Sequence, residues 1–163
     1  MVASAPPPVR AGLSHRQKKS MNKKQISIRW ADLDPNFHLR HSVFYDFCAQ
    51  QRIEILGSLG LTMDKFQELK MGPVIFREEA VFRREIKLGD KITLEVYLSK
   101  MKADASKWSF EHRFVNDAGK LMATLTVDGS WLDVVERKLA REIPQVLLTA
   151  FVDFPKTENF ELS

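Results

Sequence analysis

The chain alternates apolar and polar residues, then changes period. From Gln25 to Ala31, apolar Ile26, Ile28 and Trp30 are separated by Ser27 and Arg29. That period of two marks a strand with one buried face. From His41 to Leu59 the period becomes helical: Phe44, Phe47, Cys48, Ile55 and Leu59 recur on one side, and Val43, Ile53 and Leu56 widen it. So broad a face predicts a helix covered on most sides. Ser42 or His41 is the expected N-cap, Gly60 the terminator, and Thr62 the cap of a second short helix through Leu69. Four rows with period two follow: Val74, Phe76, Glu78, Ala80, Phe82 and Ile86; Ile92 to Leu98; Trp108 to Phe114; and Leu121 to Val127. Leu88-Gly89-Asp90 and Asn116-Asp117-Ala118-Gly119 read as turns between them. Gly129 reads as a bulge, with the last strand continuing to Val135, and Pro144 opens a short apolar tail segment.

This order of strand, loop, long buried helix, short helix and four hairpin-joined strands predicts an α+β domain whose antiparallel sheet curls around the helix. At 163 residues the chain suits one domain. The expected organisation is a disordered tail over 1–22, the domain over 23–150 and a C-terminal tail over 151–163. Met1 to Ser20 carries three consecutive prolines and a basic stretch without an apolar segment, unlike a secretory signal. No apolar run reaches the roughly 20 residues of a membrane span. The single cysteine, Cys48, excludes an internal disulfide, favours a reducing, cytoplasmic setting and is expected to be a packing residue. The net charge of +4 and the basic cluster before Lys24 raise nucleic-acid binding, but a solvated tail accounts for both. No Gly-rich phosphate loop, paired CxxC or metal-spaced histidine pattern occurs, so neither metal nor cofactor is expected.

The chemistry is concentrated between Arg29 and His41, in RWADLDPNFHLRH. An Asp-x-Asp-Pro turn, Asp32 to Pro35, leaves a strand and meets a helix N-terminus about six residues later. The first turn of a helix has unpaired N–H groups and a partial positive charge. Such groups stabilise the oxyanion formed when a carbonyl is attacked, while a nearby carboxylate serves as nucleophile or as the base that activates water. Local sequence alone reads Asp34 as an Asx-turn residue before proline.

Together with His38, Phe44-Tyr45, Arg52, Gly60, the Leu-Gly-Asp turn and Ile143-Pro144, this turn resembles the 4-hydroxybenzoyl-CoA thioesterase-like hotdog proteins, which include acyl-CoA and acyl-carrier-protein thioesterases. The resemblance runs from about Ile26 to Pro144. It implies a hotdog fold of about five strands wrapped around a central helix, a homodimer or homotetramer with active sites between subunits, and hydrolysis of an acyl-CoA or acyl-carrier-protein thioester. Coenzyme A would be part of the substrate. It also implies Asp34 as the catalytic carboxylate and the backbone N–H of His41, or its neighbour, as the group polarising the carbonyl. Phe37, His38, Arg40 and Phe44 are the expected substrate-binding residues. Relatives commonly carry glycine where Phe37 stands and other residues at Arg40 and His41. These departures motivate an alternative, a non-catalytic acyl- or CoA-binding module on the same fold.

Other titratable residues have plainer expected roles. Asp32 fixes the loop by hydrogen bonds. His112 is a satisfied sheet histidine. For Glu78 and Glu79 the resemblance allows one to face the active-site cleft, as a glutamate does in some hotdog thioesterases, but cross-strand pairing with Arg83 or Arg84 is the expected role. Arg77, Arg83, Arg84 and Lys107 are candidates for coenzyme A phosphates, with a solvated role more common for each.

Overall fold

A computed structural model describes residues 21–163. The elements, in order, are β1 (Lys23–Ile26), a 3₁₀ turn (Trp30–Asp32), α1 (His41–Ser58), α2 (Met63–Leu69), β2 (Met71–Phe82), β3 (Ile92–Met101), β4 (Lys107–Asn116), β5 (Leu121–Asp133), β6 (Lys138–Leu139), α3 (Gln145–Asp153) and β7 (Lys156–Leu162). The sheet runs β1-β3-β4-β5-β2 with antiparallel neighbours; β6 adds to β5, and β7 pairs parallel with β3. The expected α+β hotdog architecture is present, with two further short strands. β2 is not hairpin-joined to β3, as the pattern implied. It crosses to the far edge and pairs with β5.

The core forms where α1 lies on the inner face of the sheet. Val43, Phe44, Cys48, Ile55 and Leu56 meet rows that alternate strictly, Ile92-Leu94-Val96-Leu98 and Trp108-Phe110-His112-Phe114. The helix is covered on that side only. Asp46, Ala49, Gln50 and Glu54 are exposed, so its broad apolar face does not mean cover all round.

Several boundaries differ from the sequence pattern, for identifiable reasons. The first strand ends at Ile26, and Trp30 is exposed. Asp32 captures the Arg29 N–H (2.9 Å), folding 30–32 into a 3₁₀ turn that overrides the alternation. The N-cap of α1 is Arg40, without a side-chain cap. Thr62 caps α2 as expected, its Oγ1 accepting from Lys65 N–H at 3.3 Å. The hairpin turn at 116–119 also forms: Gly119 sits at φ +73, where a side chain is strained, and donates to Asn116 O.

The bulge lies on β2, not at Gly129. Register shifts between Ile75 and Arg77, opposite Gly129 and Asp128, leaving Phe76 as the extra residue. It splits the expected row: Glu78 and Phe82 keep a common face and, with Ile75, touch inner-face residues, while Phe76 lies with outer-face Lys100 and Lys107. Gly129 serves packing instead. A Cβ there would meet Trp108 Cη2 at 2.2 Å, so only glycine lets the indole lie against this backbone.

The expected C-terminal tail is structure: 145–153 is helical, and Lys156–Leu162 extends the sheet, tied by Arg113–Glu158 at 2.9 Å. At the other end Asn22 is buried, its carbonyl accepting from Val96 N–H (2.9 Å) and Gln51 Nε2 (3.1 Å), so 21–22 belong to the domain. The rest of the expected N-terminal tail lies outside the described residues. No helix among the described residues is long and apolar enough to cross a membrane.

Candidate active site

The Asp34 turn is held by its own carboxylate. Oδ1 accepts from Asn36 N–H (2.8 Å) and His38 N–H (3.1 Å), while the backbone closes with Asp34 N–H to His38 O (2.8 Å) and Phe37 N–H to Asp34 O (3.0 Å). That is the Asx turn suggested by Asp before Pro. One oxygen builds the loop; the other, Oδ2, accepts no hydrogen bond among the described residues.

Asp32 anchors the same loop from below. Its carboxylate is buried and takes Arg29 Nη2 (2.6 Å) and Nε, and its carbonyl accepts Arg40 N–H (2.8 Å). The hydrogen-bonded Arg29 guanidinium holds the Asp32 carboxyl below the usual carboxylate range, against the opposing effect of burial. The loop end is pinned by Leu39 N–H to Ile86 O (2.7 Å) and by His38 Nε2 to Glu85 (3.2 Å).

Helix α1 begins immediately after this loop. Among the described residues, the N–H groups of His41 and Ser42 have no acceptor, since Arg40 supplies no side-chain cap and its guanidinium Nε donates to Ser42 Oγ (3.0 Å). Asp34, His38, Leu39, His41 and Phe44 line a cleft of about 340 Å³, closed on the other side by 82–86. Asp34 with its partly unpaired carboxylate, His41 at the uncapped helix start and apolar Phe44 thus line one space. Such an arrangement can hold an acyl carbonyl and present it to a base or nucleophile.

Residues 82–86 contribute what the sequence pattern assigned to a strand continuing to Ile86. β2 stops at Phe82, because Met122 is bulged out of the β4–β5 register and its free carbonyl takes the Arg83 and Arg84 N–H groups at 2.9 and 3.0 Å. The chain therefore turns over the cleft. Neither Arg83 nor Arg84 forms an ion pair among the described residues, and both line the cleft. The doubled arginine after a strand was the signal available in sequence. Its position opposite Asp34 was not.

The sequence matches the thioesterase-like superfamily over residues 28–151, most of the chain. The chain belongs to that superfamily. No curated protein matches the sequence of this thioesterase-like chain. Its fold is similar to that of a hypothetical protein from Staphylococcus aureus solved in complex with CoA (TM-score 0.75, 16% identity, covering 83% of this chain and 87% of that one). It is also similar to a 1,4-dihydroxy-2-naphthoyl-CoA thioesterase from Synechocystis (TM-score 0.71, 18% identity, 80% and 95% covered) and to a DHNA-CoA thioesterase from Staphylococcus aureus (TM-score 0.66, 14% identity, 74% and 79% covered).

The thioesterase-like chain places the remaining expected residues unevenly. Phe37 and Arg40 do not line the cleft. Phe37 takes φ +64, the left-handed conformation that glycine adopts without strain, and its ring is 63% exposed against Trp30 (centroids 5.9 Å). The loop thus keeps a glycine-like path while turning the bulky ring outward. Glu78 and Glu79 do not pair with Arg83 or Arg84. Glu79 pairs with Arg77, and Glu78 faces inward to Arg52 Nη2 at 3.4 Å. Arg52 Nη1 lies 3.3 Å from His112 Nε2, and His112 Nδ1 lies 3.0 Å from Leu125 O. A neutral His112 that donates through Nδ1 and accepts through Nε2 satisfies both contacts. Burial, reinforced by Arg52, pushes its pKa down to about 3. Cys48 is fully buried and its thiol is pushed up by desolvation, as befits the expected packing residue. No group of metal-ligating side chains occurs among the described residues.

Proposed function

We propose that the chain hydrolyses acyl-CoA thioesters in the Asp34 cleft. One observation carries the reading: Asp34, one of whose oxygens has no partner among the described residues, and His41, the first residue of the uncapped α1, line a single cleft. The thioester carbonyl oxygen accepts from the His41 or Ser42 N–H. Asp34 then removes a proton from water as its oxygen bonds to the carbonyl carbon, and the negative charge moves to the held oxygen. Collapse breaks the C–S bond, and the proton passes to the thiolate, leaving free acid and coenzyme A. In the nucleophilic variant Asp34 itself attacks, the thiolate leaves, and water hydrolyses the mixed anhydride. Arg83 and Arg84, which line the cleft and have no carboxylate partner among the described residues, are suited to the CoA phosphates. The superfamily and the CoA-bound fold relative support a CoA thioester as substrate.

Subunit pairing is part of the reading. β2 is an edge strand, and Ile75, Phe76, Val81 and Phe82 are exposed along it. An unpaired apolar edge is suited to antiparallel pairing with a second copy. Light scattering is expected to give a dimer or tetramer; a monomer at micromolar concentration would remove this part.

The direct test is a panel of acyl-CoAs assayed with a thiol reagent. Thiol release on at least one member is the expected result. Tight binding of acyl-CoA with no release across the panel would replace catalysis with the alternative, a non-catalytic acyl- or CoA-binding module.

A further inference from the structure

A second cavity, of about 200 Å³, lies between α1 and the sheet, away from the Asp34 cleft. Its walls include Ile53, Ile75, Trp131 and Phe151, and its polar side chains are Arg52 and Trp108. Arg52 follows His41 by eleven residues, which is about 16 Å along a helix. Two of its wall residues, Ala49 and Ile75, are exposed. An apolar cavity of roughly 150 Å³ accommodates benzene, so this one has space for a ring with a substituent.

Two donors on its wall lack acceptors. Arg52 is only 8% exposed. Its Nη1 meets His112 and its Nη2 meets Glu78, but its Nε–H has no acceptor among the described residues. Trp108 Nε1 is buried and likewise without an acceptor. The neighbouring indole behaves differently: Trp131 Nε1 donates to Ala105 O at 2.9 Å. Buried donors are nearly always satisfied. A void left over from packing gives no reason for the buried Trp108 orphan, whereas a ligand oxygen does.

We infer that this cavity binds a small apolar group, about the size of a substituted benzene ring, whose neutral oxygen accepts from Arg52 and Trp108. A hydroxyl or carbonyl fits better than a carboxylate, because Glu78 already faces the guanidinium. The group has two possible sources. One is a free small molecule. The other, which rests on the thioesterase reading, is the far end of an acyl group whose thioester sits in a second copy's cleft. Antiparallel pairing of β2 edges brings the Phe82 end of one copy towards the Ile75 end of the other.

Benzyl alcohol and its hydrocarbon isostere ethylbenzene, titrated into the full chain by ligand-observed NMR, test the site without recourse to catalysis. Saturable binding of benzyl alcohol is expected, with ethylbenzene weaker by about tenfold, the worth of one or two net hydrogen bonds. R52M should bring benzyl alcohol towards the ethylbenzene level, with the Trp108 donor left in place. A49F, a change at an exposed wall position, should block both. Absence of saturable binding, equal affinity of the two probes, or binding that survives in A49F would overturn the inference. The acyl-CoA panel with A49F separates the sources: a drop in kcat/KM confined to ring-ended or longer acyl groups identifies the substrate, and an unchanged panel with lost benzyl alcohol binding identifies a free ligand. If no acyl-CoA is cleaved at all, the thioesterase reading falls while the titration still decides the cavity.

Discussion

Asp34→Asn is expected to lower kcat on any cleaved acyl-CoA by about 10²–10⁴-fold, the usual contribution of a positioned base, with the fold and the melting temperature retained. The substitution is nearly isosteric. The amide oxygen can still accept from Asn36 and His38 N–H, so the turn that Oδ1 builds survives. What is lost is the negative charge and the lone pair at Oδ2, which has no structural partner among the described residues. KM should change little, because the carboxylate acts on water or on the carbonyl carbon and not on the nucleotide. Asp34→Ala is a harsher variant, since it also deletes the two loop hydrogen bonds. Steady-state kinetics with a thiol reagent, beside circular dichroism, checks the pair. A folded Asp34→Asn protein with the wild-type rate would remove Asp34 from the chemistry.

Acidification is expected to destabilise the protein through His112, in a window set by its depressed pKa. In the unfolded chain the imidazole titrates near 6.5, and in the folded protein near 3. Between these values the unfolded state binds more protons, so stability falls as pH falls. The contribution of neutral His112 is intact above about pH 6.5 and is lost progressively towards pH 3. The slope approaches about 1.4 kcal/mol per pH unit inside the window. The physical cause is burial against a guanidinium: a charged imidazolium at this position would lose its hydration and face Arg52 at 3.3 Å. Carboxylates add their own slope at lower pH, so the diagnostic interval is pH 6.5 to 5. Urea unfolding of wild type and His112→Gln across that interval makes the test. Gln keeps an acceptor for Arg52 and a donor for Leu125 O but cannot titrate, and its stability should be flatter with pH. Parallel slopes for the two proteins would show that another group is responsible.

Much of this molecule was legible as pattern. The rows of β3, β4 and β5, the Thr62 cap and the turn glycines are consequences of local rules. Period two needs one buried face, a positive φ favours glycine, and a helix start favours a hydroxyl. The candidate loop was legible as well, because Asp-x-Asp-Pro before a helix is a local arrangement, and the Asp34 turn closes through its own backbone.

What stayed hidden depended on partners distant in the chain. Nothing local says that Met122 bulges and so swings Arg83 and Arg84 over the cleft, or that Glu78 finds Arg52 and not a strand neighbour. The alternation at 25–31 failed because one carboxylate, Asp32, outcompeted the strand ladder for the Arg29 N–H. β7 reads as a tail because its residues are mostly exposed, and only the free edge of β3 makes it a strand. By itself, then, the sequence determined the layered α+β fold, the parities of β3, β4 and β5 and the Asp34 turn, all of which follow from steric and burial preferences within a few residues. The tertiary structure alone decided which donors lack acceptors, where the strand edge lies open and which side chains share a cavity, because hydrogen bonding and burial between segments depend on their three-dimensional arrangement.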